Sequence, residues 1–206
     1  MRVILFGATG LIGGGVLREC LLDDRVSAVL SVGRAATGVS GGKLREIVHG
    51  GLLDLGPIET ELAGYDACFF CLEVSSAGMN EPVYRRVTHD FTLSVAGTLA
   101  RLSPDSTFVY VSSAGAQGRV TENALLALPL SAYVFRPGYV QAVFTSRTRL
   151  FRLAYVVTRP VFPVVRRLFP TTVTTTERIG QAMINVAERG AGKRVLGPAD
   201  INALAS

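Results

Sequence analysis

The stretch RVILFGATGLIGG, residues 2–14, sets three evenly spaced glycines between two different apolar patterns. Residues 2–6 form a short run rich in Val, Ile, Leu and Phe, which is typical of a buried strand. Residues 11–22 carry apolar residues at helical spacing. The pattern Gly-x-x-Gly-x-x-Gly therefore follows a strand and begins a helix, which is the context in which it indicates nucleotide binding.

Each glycine of this loop has its own physical function. Gly7 permits a tight turn, Gly10 lets the backbone approach a pyrophosphate, and Gly13 lets the helix pack close to the strand. The free N–H groups and the helix dipole then face an anion. The alternative is a glycine-rich packing turn without a ligand. The residues expected to hold the nucleotide here are Gly7, Thr9, Gly10, Leu11, Ile12 and Gly13.

Short apolar runs and helical patterns alternate along the rest of the chain. Strands are predicted at 28–32, 45–48, 67–72, 107–111 and 133–135, and helices at 82–102, 121–128 and 177–189. Near-continuous apolar strands between helices indicate a mostly parallel sheet covered on both faces. We therefore expect an α/β fold, a doubly wound Rossmann-type parallel sheet with a small C-terminal helical cap. One domain spans 1–206, with 139–206 contributing a substrate or cap region.

The predicted cap region has its own signals. The apolar stretch 150–169 is interrupted by Pro160 and Pro163 and by several arginines, which excludes a membrane-spanning helix. A threonine cluster precedes the last predicted helix, with Thr174 and Glu177 spaced as a capping box. Gly190 is expected to end that helix.

Composition narrows the classes of protein. A chain of 206 residues, 49% hydrophobic and 18% charged, can bury a large core without disulfides or metal. Its net charge of +5 comes from scattered arginines without a basic run, which argues against a nucleic-acid partner. Three cysteines make no disulfide framework, so we expect a reducing, cytoplasmic location.

The residue after the second strand predicts the choice of cofactor. NAD-selective sites usually place Asp or Glu there, whereas this chain has Arg34, whose guanidinium suits the 2′-phosphate of NADP(H). Asp54 and Leu55 come shortly after the third predicted strand. The alternatives are a solvated surface arginine and a turn-forming aspartate.

Five segments together resemble the atypical short-chain dehydrogenases: FGATG at 6–10, VGR at 32–34, FCL at 70–72, VSSAG at 111–115 and FRPG at 135–138. The sequence is most similar to the Tat-interacting-protein-like, NAD(P)H-binding group, and VSSAGM at 74–79 and TENALLAL at 121–128 look like its bacterial members. The resemblance implies an NADP(H) cofactor contacted also by Cys71, Leu72 and Pro137. It also implies that Asp54 and Leu55 contact the adenine. It implies that Ser112 or Ser113 orients a carbonyl substrate.

The sequence departs from that superfamily at the usual acid–base pair. Its only lysines are Lys43 and Lys193, and neither follows a tyrosine at the spacing Tyr-x-x-x-Lys. Relatives carry an extra loop and helix start where Ala116 here runs directly into Gln117. Either the protein has lost that segment, or residues between Ala116 and Gln117 are missing from the sequence.

Other patterns add weaker expectations. Cys68 and Cys71 are interpreted as two buried strand cysteines on opposite faces, because a second pair of ligands for zinc is lacking. Neither His49 nor His89 has partners at ligand spacing, so no metal site is expected. Glu73 is predicted to narrow the nicotinamide pocket or to weaken dinucleotide binding.

The sequence is compatible with two functions. The first is an NADP(H)-dependent oxidoreductase acting on a small carbonyl or hydroxyl substrate. The second is a non-catalytic NADPH-sensing or scaffold protein that regulates a partner. Peripheral contact with a membrane surface through the arginines of 147–167, and a homodimer, are further interpretations that stay open.

Overall fold

The apolar runs become the strands of a parallel sheet. The computed structural model describes residues 1–72, 83, 85–112, 116–141 and 173–206. Within these residues, seven parallel strands pair in the order β3-β2-β1-β4-β5-β6-β9. They are β1 Arg2–Phe6, β2 Ala28–Gly33, β3 Leu44–Val48, β4 Ala67–Phe70, β5 Thr107–Val111, β6 Ser131–Phe135 and β9 Val195–Leu196. Strands β7 Tyr139–Gln141 and β8 Val173–Thr175 form a separate parallel pair.

Both faces of the sheet are buried at its centre. Successive side chains of a strand point to opposite faces, so Val3 and Leu5 of β1 enter one core cluster while Ile4 and Phe6 enter the other. All four are fully buried. The structure confirms the predicted α/β fold with helices on both faces of a mostly parallel sheet.

The helices divide between these two faces. They are α1 Leu11–Leu22, α2 Glu59–Leu62, α3 Phe91–Leu102, α4 Ala116–Leu126, α5 Thr176–Arg189 and α6 Pro198–Leu204, with a 3-10 turn at Gly56–Ile58 and a π-helical turn at Arg86–Asp90. Helices α1, α5 and α6 supply one cluster, and α2, α3 and α4 the other. In the ranges described, no helix has the length and apolar character needed to cross a membrane.

The start of α5 differs from its prediction by one residue. The N-cap is Thr175, whose side chain accepts a hydrogen bond from the Arg178 N–H at 3.2 Å, so the expected capping box of Thr174 and Glu177 is wrong. Strand β8 continues through Thr175 into the helix, and this last extended residue takes the capping position. Gly190, with φ +72°, ends the helix as predicted.

Two glycines bring α5 against α1. A Cβ built at Gly15 would lie 2.4 Å from Cβ of Thr176, and one at Gly180 would lie 2.8 Å from Cβ of Glu19. Only glycine permits this approach without rearrangement. Residues 173–206 therefore complete the α1 face and the β9 edge of the sheet. The rest of the predicted cap region, 142–172, lies outside the described residues.

Candidate nucleotide site

The order of the strands creates a crevice beside β1. The chain runs from β1 outward through β2 and β3, then returns to pair β4 on the other side of β1. Ligands of open α/β sheets bind at such a point, outside the carboxyl ends of the strands. Here the Cys71 N–H donates to the Phe6 carbonyl at 2.9 Å, so Gly7, Cys71 and Leu72 meet at this edge.

The glycine loop occupies this crevice. Gly7 has φ +84°, and a Cβ there would lie 2.4 Å from the Cys71 carbonyl oxygen. A Cβ at Gly13 would lie 2.0 Å from the Gly7 carbonyl oxygen. The Gly10 N–H donates to the same carbonyl at 2.9 Å and closes the turn. Thr9, Gly10 and Leu11 remain exposed at the tip, where a ligand can reach their backbone.

The N-terminus of α1 can accept an anion. Its N-cap is Gly10, which has no side chain to cap the helix, and the first turn contains no acidic residue. The first N–H groups of a helix have no partner within the helix, and the dipole adds positive potential there. The backbone of Leu11, Ile12 and Gly13 therefore fits the pyrophosphate of a dinucleotide.

The ends of β2 and β3 form the side of the crevice where the sequence predicts the adenosine half of a nucleotide. Arg34 directly follows β2, is exposed, and makes no hydrogen bond or ion pair with any described residue. Asp54 is also exposed, but its Oδ1 accepts from the Gly56 N–H at 3.1 Å. Leu55 is only 4% exposed, and its side chain packs in the core. Contact of Asp54 and Leu55 with adenine stays a prediction.

A buried polar cluster occupies the other side of the crevice. The register of β5 and β6 pairs Val111 with Phe135, which places Ser112 beside Arg136. The Ser112 Oγ donates to Oε1 of Glu122 at 2.5 Å. Arg136 donates through Nε to the same oxygen at 3.0 Å and through Nη2 to Oε2. Three elements, β5, α4 and β6, thus converge on one carboxylate.

Glu122 is an ionised group in this cluster. Its residue is 2% exposed, and this burial by itself would raise the pKa of the carboxyl. The hydrogen bonds from Arg136 and Ser112 outweigh burial and hold the pKa of Glu122 below its ordinary value of 4.5. The same pairing raises the pKa of Arg136, whose side chain is 48% exposed.

This geometry constrains the chemistry of Ser112. An ionised carboxylate only accepts hydrogen bonds, so the single hydroxyl proton of Ser112 points to Glu122. The predicted role of Ser112, donation to a substrate carbonyl, requires that hydroxyl to turn away from Glu122. Sequence reasoning missed Glu122, although its spacing three residues before the fully buried Leu125 places both on the inner face of α4.

The structure describes some of the remaining predicted residues, and others lie outside its described ranges. Pro137 is buried next to Arg136, at the turn where Gly138 has φ +64°. Ser113 and Glu73 lie outside the described residues. Cys68 and Cys71 belong to the clusters on opposite faces of the sheet, as predicted, and burial raises the pKa of the Cys68 thiol well above 9.0.

Comparisons with known proteins match this chain to solved structures of similar fold. No protein-family model matches the chain, and no curated protein is significantly similar to it. Among solved structures, the Bordetella bronchiseptica enzyme WbmF in complex with NAD+ is 15% identical, with 99% of this chain and 76% of WbmF covered at a TM-score of 0.67. The dTDP-glucose 4,6-dehydratase DesIV of Streptomyces venezuelae, with NAD bound, is 14% identical over 96% and 75% of the two chains, with a TM-score of 0.68.

A third structure matches nearly end to end. A short-chain dehydrogenase family protein from Francisella tularensis is 18% identical, covering 100% of this chain and 99% of its own, with a TM-score of 0.63. At these identities the likeness establishes the fold. The chain has the Rossmann-type fold found in short-chain-dehydrogenase-like proteins.

Proposed function

We propose that this protein binds NADP(H) and is an oxidoreductase of the atypical short-chain dehydrogenase type, acting on a small carbonyl or hydroxyl compound. The observation that carries the proposal is the glycine turn in the crevice beside β1, followed by a helix N-terminus without a side-chain cap. Two proteins of similar fold, WbmF and DesIV, hold NAD in their structures. The sequence resemblance to the Tat-interacting-protein-like group supports the same cofactor class.

Arg34 is the basis for preferring NADP(H) over NAD(H). It is exposed at the end of β2 and engages no other described group. A guanidinium can bind the 2′-phosphate of NADP(H) through two parallel hydrogen bonds, whereas a carboxylate would repel it. We therefore assign Arg34 to the 2′-phosphate.

The other residues divide by the part of the cofactor they would hold. The loop from Gly7 to Gly13 would bind the pyrophosphate, and Asp54 lies on the adenine side. Cys71, Leu72, Ser112, Ser113 and Pro137 are assigned to the nicotinamide side. When bound, the cofactor supplies or accepts a hydride. Ser112 would orient the substrate oxygen after its hydroxyl leaves Glu122.

A second candidate function is favoured by one specific arrangement. The Ser112 hydroxyl is engaged by Glu122, and the sequence has no Tyr-x-x-x-Lys to move a proton. A non-catalytic NADPH-sensing or scaffold protein would keep the nucleotide site and need neither group. Binding of NADP(H) is common to both candidates.

Calorimetric titration with NADPH and NADH tests the binding that both candidates share. We expect the wild-type protein to bind NADPH more tightly than NADH. Arg34→Ala should lower NADPH affinity about 10–100-fold, since charge-assisted hydrogen bonds contribute about 1.5–3 kcal/mol, and should change NADH affinity less than threefold. Absence of NADPH binding, or equal losses for both nucleotides, would contradict the assignment.

Turnover separates the enzyme from the sensor. NADPH oxidation is measured against aldehydes, ketones and quinones, with Ser112→Ala as the variant. An enzyme should oxidise NADPH with at least one carbonyl class and lose about 10²-fold or more in Ser112→Ala. Tight NADPH binding without turnover across the panel would favour the sensor or scaffold function.

A further inference from the structure

The loop after β3 contains a histidine that closes it. The Nε2 of His49 lies 3.0 Å from the Gly51 carbonyl oxygen and 2.9 Å from the Asp54 carbonyl oxygen. Both partners are acceptors, so Nε2 carries a proton and donates to them. The Asp54 N–H also donates to the Gly51 carbonyl at 2.8 Å. One imidazole therefore links both ends of the turn 51–54.

Gly51 leaves room for this imidazole. A Cβ built at Gly51 would lie 3.4 Å from Nε2 and 3.6 Å from Cε1 of His49. That separation is at the short limit of ordinary van der Waals contact. An alanine at this position would therefore contact the ring of His49 without displacing it.

The same loop supports the side chain assigned to the 2′-phosphate. The His49 N–H donates to the Gly33 carbonyl at 2.8 Å, which attaches the loop to the residue preceding Arg34. A Cβ built at Gly50 would lie 3.8 Å from Cγ of Arg34, so the aliphatic part of Arg34 passes beside Gly50. A loop that moved at Gly50 would therefore change the space open to the Arg34 side chain.

We propose that His49 is a positioning residue for NADP(H): it holds the loop 49–55 in the closed form that supports Arg34, and so sets the preference for a nucleotide with a 2′-phosphate. The inference rests on the proposed NADP(H) binding. His49 acts through Arg34 and not through direct contact with the phosphate. Its effect should therefore disappear when Arg34 is absent.

A double-mutant cycle measures this dependence by calorimetry with NADPH and NADH. We expect His49→Ala to weaken NADPH binding about tenfold, the effect of roughly 1.4 kcal/mol of lost positioning. NADH binding should weaken by no more than about threefold, because Asp54 of the same loop lies on the adenine side of both nucleotides. The double variant should bind NADPH no more weakly than Arg34→Ala alone. His49→Gln, whose amide N–H can donate to the same carbonyls, should return NADPH affinity to within threefold of wild type.

Two further variants control for misfolding. Leu22→Ala changes an exposed side chain at the far end of α1 and should bind both nucleotides as wild type does. Gly51→Ala adds a methyl group at ordinary van der Waals distance from the imidazole, keeps its hydrogen bonds, and should also bind both nucleotides as wild type does. Equal losses for NADPH and NADH, or losses from His49→Ala and Arg34→Ala that multiply in the double variant, would overturn this inference alone. Failure of the wild-type protein to bind NADPH would overturn the proposed function and the inference with it.

Discussion

Glu122 joins three elements through one buried carboxylate, and its replacement tests what the cluster contributes to stability. In Glu122→Gln, Arg136 loses its ion pair, and the NH2 group that replaces one carboxylate oxygen is a donor that faces the donors of Arg136. We expect the free energy of unfolding to fall by about 1–2 kcal/mol. The value is modest because the half-exposed Arg136 can be rehydrated. Urea denaturation at pH 7 measures it, and a change below about 0.3 kcal/mol would show that the pair is energetically neutral.

Low pH should remove the contribution of Glu122 to the free energy of unfolding. The pKa of Glu122 is lower in the folded protein than in the unfolded chain, so its stabilisation is complete above about pH 4.5 and is lost as pH falls through the folded-state pKa. The difference between wild type and Glu122→Gln should therefore shrink below pH 4.5. Asp23 and Asp200, whose pKa values are lowered by hydrogen bonds from Arg25 and Lys193, contribute equally to both proteins and cancel. A difference that stays constant to pH 3 would contradict this account.

At the scale of helices, the same substitution at two glycines should have opposite effects on the free energy of unfolding. Gly15→Ala adds a methyl group that would lie 2.4 Å from Cβ of Thr176, and we expect a cost of roughly 1–3 kcal/mol from overpacking. Gly97→Ala, on α3, adds the same group where no heavy atom lies within 4 Å. It should stabilise by about 0.5–1 kcal/mol, because alanine is the better helix former. Denaturation midpoints compare the two, and a stabilised Gly15→Ala would contradict the close contact of α1 and α5.

The elements also show what sequence patterns can predict. Strands β1, β2 and β5 were predicted almost to the residue, because a strand buried on both faces leaves an uninterrupted apolar run. Strands β8 and β9 contain three and two residues, too few for any periodicity to register. The cap of α5 was missed by one position because three successive threonines offer the same hydroxyl, and only the backbone selects Thr175.

For the whole molecule, nucleotide binding should appear as thermal stability. A ligand that binds only the folded state stabilises it by about 2.7 kcal/mol at one hundred times its Kd. For a chain of 206 residues this corresponds to a rise in Tm of about 5–10 °C. NADPH should produce this rise in wild type, and Arg34→Ala at the same concentration should show a rise smaller by several degrees. A Tm that NADPH leaves unchanged in wild type would contradict binding to the folded protein.

Only the parts of the candidate site that directly follow a strand in the sequence were predictable. The glycine loop and Arg34 each stand directly after a strand, so their place at the carboxyl edge follows from the strand pattern. Ser112, Glu122 and Arg136 belong to three elements, and only the parallel register of β5 and β6 brings the first and last together. The closure of the loop by His49 depends on a turn whose backbone geometry the sequence does not specify.

The contact of Gly15 with Thr176 also bears on how the protein matures on the ribosome. The segment that forms α1 is synthesised before the segment of α5 that covers it. In a nascent chain that stops before residue 176, the face of α1 that α5 later covers is therefore still exposed to water. We therefore expect the glycine loop to reach its final packing only after α5 is made, and products truncated before residue 176 to be degraded because of that exposed face.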